Sequence, residues 1–398
     1  MVPNGWEVKN LEDLEGSDRP VVKAGPFGSS LKKEFYTKTG YKIYGQEQVI
    51  ADDAFYGDYY IDEERYRSLR SCAVEPDDIL ISLVGTIGKV LLVPENAQPG
   101  VINPRLLRIS LNKTQMSSKF FKYFLESRPT VNLLDRWAQG GTMGVLNAAT
   151  LKALKVPVPP LPEQQKIAKI LSTWDKAIST TERLIDNSTQ QKKALMQQLL
   201  TGKKQLLDES GQPFDKKWER IELGKLLDYK QPTPYLVKST DYSNEYPTPV
   251  LTAGKTFILG YTDEEFGIFS EDLPTIIFDD FTTASKFVDF PFKAKSSAMK
   301  MLVAKDGVSI KYIFEVMQAL SYAIGGHQRH WISIFANIVI GLPCREEQQK
   351  ITAVSNNADK EIELLEQQLA DLQQEKKALM QQLLTGKRRV VVDGDNLA

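Results

Sequence analysis

Apolar side chains recur every three or four residues along two long stretches of the chain, and this spacing predicts two amphipathic helices. The first stretch begins at Ile167 and the second at Ile351. Gly202 and Gly386 follow the last apolar positions, where a left-handed glycine commonly ends a helix. Each stretch therefore predicts a helix of about 40 residues, roughly 60 Å long at 1.5 Å rise per residue.

The two helical stretches are copies of one another. Residues 192–203 and residues 376–387 both read KKALMQQLLTGK, and EQQKI stands at 163–167 and again at 347–351, so both matches share an offset of 184 residues. A match of this length does not arise by chance between unrelated segments. The chain is therefore an internal repeat, in which each copy consists of a variable part followed by a similar helix.

A helix of this length with a single apolar stripe needs a partner to cover the stripe. The other copy in the same chain is the nearest candidate, and we expect the two helices to form an antiparallel coiled coil. The alternative is that the stripe belongs to the core of a helical domain. A simple two-stranded zipper is disfavoured by polar residues at Gln191, Gln198, Glu361 and Glu375.

Both variable parts combine strand-like runs with a helical segment. Runs of β-branched and aromatic residues predict strands within 77–93, 101–111, 248–251, 256–259, 275–278 and 298–303. Amphipathic segments predict helices at 117–139 and 309–323. The predicted fold class is therefore α+β, with two mixed α/β domains joined by two long helices in a pseudo-two-fold internal repeat.

The predicted domain organisation follows from this repeat. It comprises a first domain (1–150), a central region with the first long helix (151–204), a linker (205–217), a second domain (218–345), a distal region with the second long helix (346–389) and a tail (390–398). The linker is polar and contains glycine and proline, as connecting segments commonly do.

The charge balance removes the simplest argument for nucleic-acid binding. The 398 residues contain 50 Lys and Arg against 51 Asp and Glu, a net charge of −1, whereas chains that bind DNA through charge alone are strongly basic. The 2 cysteines and 2 histidines supply neither a disulfide framework nor the spacing of a zinc site. The N-terminus lacks a signal-peptide pattern, and the apolar stretch 332–342 is too short to cross a bilayer. We therefore expect a soluble, cytoplasmic protein without a metal site.

Catalytic motifs are not apparent in the sequence. VGTIGK at 84–89 and AGKT at 253–256 each resemble part of a phosphate-binding loop, but neither has the complete pattern. The acidic pairs at 77–78 and 279–280 suit loop-rim or capping roles better than metal binding. We therefore expect the chain to be a reader or scaffold and not an enzyme.

Several short sequences, taken together, match one protein family. They are VPVPPLPEQQKI at 156–167, the two LMQQLLTGK helix ends, GTIGK at 85–89, FDDFTT at 278–283, KSSAM at 295–299 and GGHQRHW at 325–331. On these sequences the whole chain resembles the specificity subunit of type I restriction-modification enzymes. The second proline-rich segment, LPCREE at 342–347, departs from the pattern by having fewer prolines.

The resemblance implies the function of each part. Two target-recognition domains would each read one half of a split, asymmetric sequence in double-stranded DNA, and the helices would set the spacing and dock two modification subunits. Those partners would carry the adenine methyltransferase site and S-adenosylmethionine, and restriction/translocase subunits would add ATP- and Mg-dependent translocation and cleavage. This chain would be the non-catalytic specificity subunit and would bind no cofactor or membrane.

Candidate DNA contacts are side chains that could reach base edges, and cations or backbone amides that could meet phosphates. In the first domain they are Gly25, Phe27, Gly28, Ser29, Ser30, Thr86, Lys89 and Arg105. In the second domain they are Thr282, Thr283, Ser285, Lys286, His327, Gln328, Arg329 and His330. A plain turn is the alternative for the 25–30 loop, and satisfied structural polar groups are the alternative for the cluster at 325–331. Aromatic residues such as Phe27 and Trp331 more often belong to a core.

Polar residues repeated in both helices are the candidates for docking partner subunits. They are Gln164, Gln165, Lys192, Lys193, Gln348, Gln349, Lys376 and Lys377. Because neither domain is basic overall, we expect the isolated chain to bind DNA weakly. A coiled-coil structural protein without nucleic acid is the alternative function, and a nuclease or methyltransferase in its own right is a third for which we find no motif.

Overall fold

A computed structural model describes residues 2–16, 18–83, 88–139, 146–214, 217–254, 256–320 and 330–391. The chain forms two compact units, one of Met1–Thr180 with Gln368–Ala398 and one of Thr181–Gln367. Each unit therefore contains one of the two mixed α/β domains, the first part of one long helix and the last part of the other. No helix in the described ranges is long and apolar enough to span a membrane.

The first part of the chain contains ten strands and six α-helices among its described residues. The strands are β1 (Glu7–Asn10), β2 (Val22–Ala24), β3 (Tyr41–Tyr44), β4 (Tyr60–Ile61), β5 (Ala73–Val74), β6 (Ile79–Ser82), β7 (Val90–Leu92), β8 (Gly100–Ile102), β9 (Leu106–Ile109) and β10 (Lys155–Val158). The helices are α1 (Gln46–Ala51), α2 (Glu63–Ser68), α3 (Ser118–Glu126), α4 (Arg128–Gln139), α5 (Ala148–Lys152) and the long helix α6 (Leu161–Leu200).

The second part of the chain, where the structure describes it, repeats this plan. Its strands are β11 (Glu219–Glu222), β12 (Leu227–Lys230), β13 (Thr248–Leu251), β14 (Ile258–Thr262), β15 (Thr275–Asp279), β16 (Ser285–Val288), β17 (Lys293–Ala294), β18 (Met299–Ala304) and β19 (Val339–Leu342). Its helices are α7 (Leu223–Leu226), α8 (Ile310–Ala319), α9 (His330–Ser333) and the long helix α10 (Arg345–Leu383).

The sheet topology shows that the two domains are structural repeats although their sequences differ. The four-stranded sheet of the first domain has the order β2-β9-β6-β7, and that of the second domain has the order β12-β18-β15-β16. A second sheet in each domain pairs two strands in parallel, β3 with β8 and β13 with β17. A two-stranded antiparallel ribbon, β1 with β10 or β11 with β19, leads into each long helix. The predicted α+β class and internal repeat are confirmed.

The long helices pack antiparallel inside each unit. In the first unit, Asp175 of α6 pairs with Lys376 of α10, and Glu163, earlier in α6, pairs with Arg389, which follows the end of α10. Residue numbers therefore rise along one helix as they fall along the other. In the second unit, Ser188 and Lys192 contact Glu361 and Asp359 in the same descending order. This arrangement agrees with the predicted antiparallel pairing.

The helix ends are part of the domain cores. Ile167 and Leu171 from α6 and Leu383 from α10 lie in one buried cluster with Trp6 and Val156 of the first domain. In the second unit, Met196, Leu199 and Ile351 lie in a buried cluster with Leu223 and Trp331. Because burying a large apolar side chain contributes roughly 1.5–3 kcal/mol, the helices stabilise the domains that they connect.

The predicted helix boundaries are close to the observed ones. The helices begin at Leu161 and Arg345. Gly202 and Gly386 adopt φ angles of +69° and +71°, so the predicted left-handed glycines are confirmed. Each caps the preceding carbonyls in the same way, with its amide 3.1 Å or 3.3 Å from the carbonyl oxygen three residues earlier.

Two of the elements predicted from the sequence are interrupted by proline. The predicted helix at 117–139 is two helices, α3 and α4, separated at Ser127, because Pro129 has no amide hydrogen and its ring would clash with the carbonyl four residues earlier. The predicted strand at 101–111 is likewise divided around Pro104 into β8 and β9, which belong to different sheets. The strand predicted at 256–259 begins at Ile258 and extends to Thr262.

Candidate nucleic-acid interface

The candidate DNA contacts of the first domain lie at one end of its four-stranded sheet. Strands β2 and β6 are both antiparallel to β9, so the chain leaves β2 and β6 at the same end at which it enters β9. Three loops therefore meet at this end, and their described residues are 25–31, 83, 88–89 and 103–105. They contain all the candidates in the first domain, although Thr86 lies outside the described residues.

Backbone hydrogen bonds tie these three loops together. The amide of Gly25 donates to the carbonyl of Leu106 at 3.0 Å, and the amide of Leu83 donates to the carbonyl of Arg105 at 3.0 Å. The amide of Lys89 donates to Oγ of Ser82 at 3.2 Å. A Cβ atom at Gly25 would collide with the backbone of Asn103, so the close approach of these two loops requires glycine. The side chains of Lys89 and Arg105 remain exposed beside this framework.

Phe27 lies on the surface of this loop cluster. Its side chain is 88% exposed, whereas the sequence pattern favours the core for an aromatic residue. Ser29 and Gly28 beside it are also exposed. Trp331, the other aromatic residue that we assigned to a core, is 2% exposed and is indeed buried.

In the second domain, the candidate residues surround the turn between β15 and β16. Oδ1 of Asp279 accepts hydrogen bonds from the amides of Phe281 at 2.9 Å and Thr282 at 2.8 Å. Thr283 has a φ of +60°, and its amide donates to the carbonyl of Asp279 at 2.9 Å. Thr282 is exposed at the tip of the turn. Asp279 therefore organises the turn, which agrees with the capping role expected of this acidic pair.

Asp280 and His330 fix this turn to the domain interior. Asp280 is 3% exposed, lies 3.5 Å from Nζ of Lys300 and accepts the amide of Trp331 at 2.9 Å. The imidazole of His330 is fully buried, with Nδ1 2.9 Å from the carbonyl oxygen of Asp280. This burial disfavours the direct DNA contact predicted for His330 and supports the structural alternative. His327, Gln328 and Arg329 lie outside the described residues.

Ser285 and Lys286 begin the strand that follows the turn. Lys286 is exposed, and its ammonium lies 5.9 Å from the centre of the Phe257 ring. Oγ of Ser285 accepts a hydrogen bond of 2.8 Å from the side-chain amide of Gln318 in α8. Lys286 can therefore reach a ligand outside the domain, while the hydroxyl of Ser285 already has a partner within it.

The acidic pair at 77–78 belongs to a structural network. Asp78 is buried, accepts the hydroxyl of Ser110 at 2.6 Å and forms an ion pair with Arg19 at 3.2 Å. Burial raises the pKa of Asp78, while the hydrogen bond from Ser110 and the charge of Arg19 oppose that rise. Asp77 pairs with Lys113 at the surface. No group of three or more potential metal ligands occurs within the described part of the chain.

The predicted docking residues fall into buried and exposed sets. Gln164 and Gln348 are at most 1% exposed. The carbonyl oxygen of the Gln164 side chain accepts the amide of Ser117 at 2.8 Å, and that of Gln348 accepts the amide of Ser309 at 2.8 Å. These two glutamines therefore connect the start of a long helix to the start of a domain helix, and their burial disfavours a docking role. The neighbouring residues Gln165 and Gln349 are exposed.

The repeated lysines divide in the same way. Lys192 forms an ion pair with Asp359 at 2.5 Å, and Lys376 pairs with Asp175. Lys193 and Lys377, one position later in each helix, are exposed. Exposed docking candidates are therefore available at equivalent positions of both helices.

A groove of about 1070 Å³ in the first unit was not anticipated from the sequence. Phe124, Val131, Met380 and Leu384 are among its apolar lining residues, and Lys377 is among its cationic ones. The lining comes from the start of the chain, from α3 and α4, and from the end of α10. No local sequence pattern connects these segments, so only the fold could show the groove.

Comparison with known proteins shows similarity to one family. Residues 3–187 match the family model described as the type I restriction modification DNA specificity domain. A putative type I restriction enzyme MjaX specificity subunit from Methanocaldococcus jannaschii is 28% identical, and the match covers 98% of this chain and 95% of that relative. The chain is therefore similar to type I specificity subunits over nearly its whole length.

Further relatives show the same similarity. The type I restriction enzyme EcoR124I/EcoR124II specificity subunit from Escherichia coli is 50% identical over 143 residues, which is 35% of each chain. The crystal structure of a type I S subunit from M. genitalium has the same fold, with a TM-score of 0.61 at 16% identity over 96% of this chain and 97% of that one. A chain from a structural study of type I complex assembly gives a TM-score of 0.55 at 15% identity, covering 98% of this chain and 100% of that one.

Proposed function

We propose that this chain is a type I specificity subunit and reads a bipartite, asymmetric sequence in double-stranded DNA, with each domain reading one half. The observation that carries the proposal is the repeated sheet topology, in which corresponding sheet ends present exposed loops of different sequence. At this sheet end the exposed cations of the first domain include Lys89 and Arg105, and the exposed groups of the second domain include Thr282 and Lys286. Equivalent scaffolds with different loops suit the reading of two different half-sequences by direct contact.

We further propose that the long helices set the distance between the two half-sequences. They contain 40 and 39 residues, and a helix of that length spans roughly 60 Å. In two-part DNA readers, the distance between the reading elements determines the separation of the half-sites.

Docking of two modification subunits is the third part of the proposal. The identical segments 192–203 and 376–387 offer the same exposed side chains twice, including Lys193 and Lys377. A nearly identical surface presented twice suits two copies of one partner. In the first unit, the groove beside Lys377 is the apolar surface that such a partner would cover. Restriction subunits would join through the modification subunits.

The chemistry would then belong to the partners. We expect S-adenosylmethionine on the modification subunits and ATP with Mg²⁺ on the restriction subunits, all working in the cytoplasm. Since the net charge is −1, we also expect the isolated chain to bind DNA weakly until modification subunits close around the duplex. A gel-shift titration showing nanomolar, sequence-specific binding by the isolated chain would contradict that expectation.

Genome-wide mapping of N6-methyladenine tests the proposal directly. The chain is co-expressed with its modification subunits in a host without adenine methylation, and the subunits alone serve as the control. We expect methylation of one two-part sequence with a gap of fixed length, only when the chain is present. Methylation of a continuous sequence, or the same pattern without the chain, would contradict the proposal.

A further inference from the structure

Phe27 is the most exposed large apolar side chain in the described residues, at 88%. Exposure of an entire aromatic ring to water is unfavourable, and no residue that the structure describes in this domain covers the ring. Replacing Phe27 with a smaller residue would therefore break no packing contact. The fold alone thus gives no reason for a phenylalanine at this position. A ligand that contacts the ring would give one.

The loop that carries Phe27 is held at both ends. On one side, the amide of Gly25 is bonded to the carbonyl of Leu106, and the backbone there is packed against Asn103. On the other side, Leu31 is 5% exposed and belongs to a buried cluster. Between these anchors, the amide of Ser30 donates to the carbonyl of Phe27 at 2.8 Å. The ring is thus presented from a fixed backbone and not from a long free segment.

The surroundings of Phe27 suit a nucleic acid. Between positions 23 and 33 the chain has three lysines and no acidic residue. The exposed cations Lys89 and Arg105 belong to the neighbouring loops at the same end of the sheet. An apolar ring on a rigid loop with cations beside it can place the ring against bases while the cations meet phosphates.

The matched position in the second domain is different. The loop that follows β12 turns at Pro232, as the loop that follows β2 turns at Phe27, and each of these residues immediately precedes a short 3-10 turn. Pro232 is buried. An exposed ring at this place of the scaffold is therefore a property of the first domain alone.

We propose that Phe27 stacks on or wedges between bases in the half of the target that the first domain reads. This inference rests on the proposed function and adds a specific contact to it. Loss of a base-stacking aromatic residue typically weakens binding about tenfold or more. Phe27→Ala should therefore weaken DNA binding of the complex to this extent, while Phe27→Trp should retain most of the affinity.

The test uses the complex of the full chain with its modification subunits and a duplex that contains the methylated sequence found by mapping. Binding is measured by fluorescence anisotropy, and unstacking is measured with 2-aminopurine placed at successive positions of each half. Phe55→Ala is the matched control, because Phe55 is a half-exposed phenylalanine in another loop of the same domain. Thermal unfolding should be unchanged in both variants.

We expect the fluorescence of 2-aminopurine to increase at one base step, in one half of the target sequence. This increase should be lost in the Phe27→Ala complex and kept in the Phe55→Ala complex. Binding by Phe27→Ala within twofold of the wild type would overturn the inference. Loss of the modification subunits from the Phe27→Ala complex would also overturn it, because Phe27 would then be a protein contact. If the wild-type complex itself fails to bind the duplex, the proposed function fails, which is a distinguishable outcome.

Discussion

Glu163 and Glu347 occupy equivalent positions at the starts of the two long helices, yet they meet different partners. Each accepts a hydrogen bond of 3.0 Å from the indole of an equivalent tryptophan, Trp6 or Trp218. Glu163 also forms a bidentate pair with Arg389, at 2.7 Å and 2.9 Å. In the repeat, the position that corresponds to Arg389 is Gln205, which is exposed.

This difference shows where the internal repeat stops being symmetric. The motif EQQKI specifies the local contacts of each helix start, but the counter-charge comes from a residue beyond the repeated LLTGK. Arg389 also donates to the carbonyl of Asn4 at 2.8 Å. The first unit therefore fastens the end of the chain to its beginning, and the second unit lacks the corresponding arginine.

The largest expected effect concerns the symmetric part of the comparison. Gln164→Ala would leave the amide of Ser117 and the carbonyls of Gln115 and Pro159 without their partner. Because each unsatisfied buried group costs about 1–3 kcal/mol, we expect a loss of about 3 kcal/mol in the free energy of unfolding. Urea denaturation measures the loss, and hydrogen exchange should place it at α3.

Gln348→Ala sharpens the same comparison, because this side chain has two bonded backbone partners, Ser309 and Pro343. We expect a smaller loss of about 2 kcal/mol, located at α8. The exposed neighbours Gln165 and Gln349 are the controls, and their replacement by alanine should change stability by less than about 0.5 kcal/mol. Equal, negligible effects of Gln164→Ala and Gln165→Ala would contradict the buried structural role.

The next effect tests the asymmetric pair. Arg389→Gln leaves Glu163 buried without its counter-charge, and we expect the first unit to lose about 1–2 kcal/mol because Arg389 itself is half exposed. Gln205→Ala is the control in the second unit and should be neutral. Chemical denaturation followed unit by unit with hydrogen exchange checks both. If Arg389→Gln and Gln205→Ala reduced the free energy of unfolding equally, the proposed difference between the two units would be contradicted.

The buried carboxylate of Glu347 should also make the stability of the second unit depend on pH. Burial raises the pKa of Glu347 above its ordinary value of 4.5, and the hydrogen bond from Trp218 opposes the rise. Folding therefore favours the protonated form of Glu347. The contribution of this side chain to the free energy of unfolding is present below pH 4.5 and is lost as the pH rises through the raised pKa. Glu347→Gln should consequently gain stability relative to wild type as the pH rises from 4 to about 7.

Thermal melting across this pH range is the measurement, with Glu346→Gln at the exposed neighbouring position as the control. A difference between Glu347→Gln and wild type that does not change with pH would show that Glu347 does not titrate in this window.

The smallest effects on stability are expected at the loops that we propose contact DNA. Lys89→Ala and Lys286→Ala remove exposed cations, so stability should change by less than about 0.5 kcal/mol. If each lysine contacts a phosphate, each substitution in the complex should reduce the slope of the logarithm of the DNA-binding constant against the logarithm of salt concentration by about one. Anisotropy titrations at several salt concentrations measure this slope. Unchanged slopes in both variants would exclude phosphate contacts by these lysines.

The sequence predicts the repeated parts of this molecule well, because identity and apolar spacing are local signals. The antiparallel helices, their glycine ends and most strands follow from such signals. The interruptions at Pro129 and Pro104 could also have been predicted, since proline lacks an amide hydrogen. The groove and the pairing of Glu163 with Arg389 could not, because they join residues that are distant along the chain.

The candidate site shows the same limits. Topology brings residues 25–31, 83, 88–89 and 103–105 to one end of the sheet, and the sequence selected residues from all three loops. The sequence did not distinguish buried polar residues from exposed ones. Gln164 and Gln165 both recur in the repeat, so both were selected as docking candidates. Apolar character likewise suggests burial for Phe27, whereas its exposure depends on a loop that is fixed by contacts with Asn103 and Leu106.

The central claim is that two recognition domains act as separate readers on a shared pair of helices. The most direct test replaces residues 1–150 with those of a relative that has a different target, and maps adenine methylation by the resulting complex. The account predicts that one half of the methylated sequence changes while the other half and the spacing are retained. A change in both halves, or in neither, would contradict it.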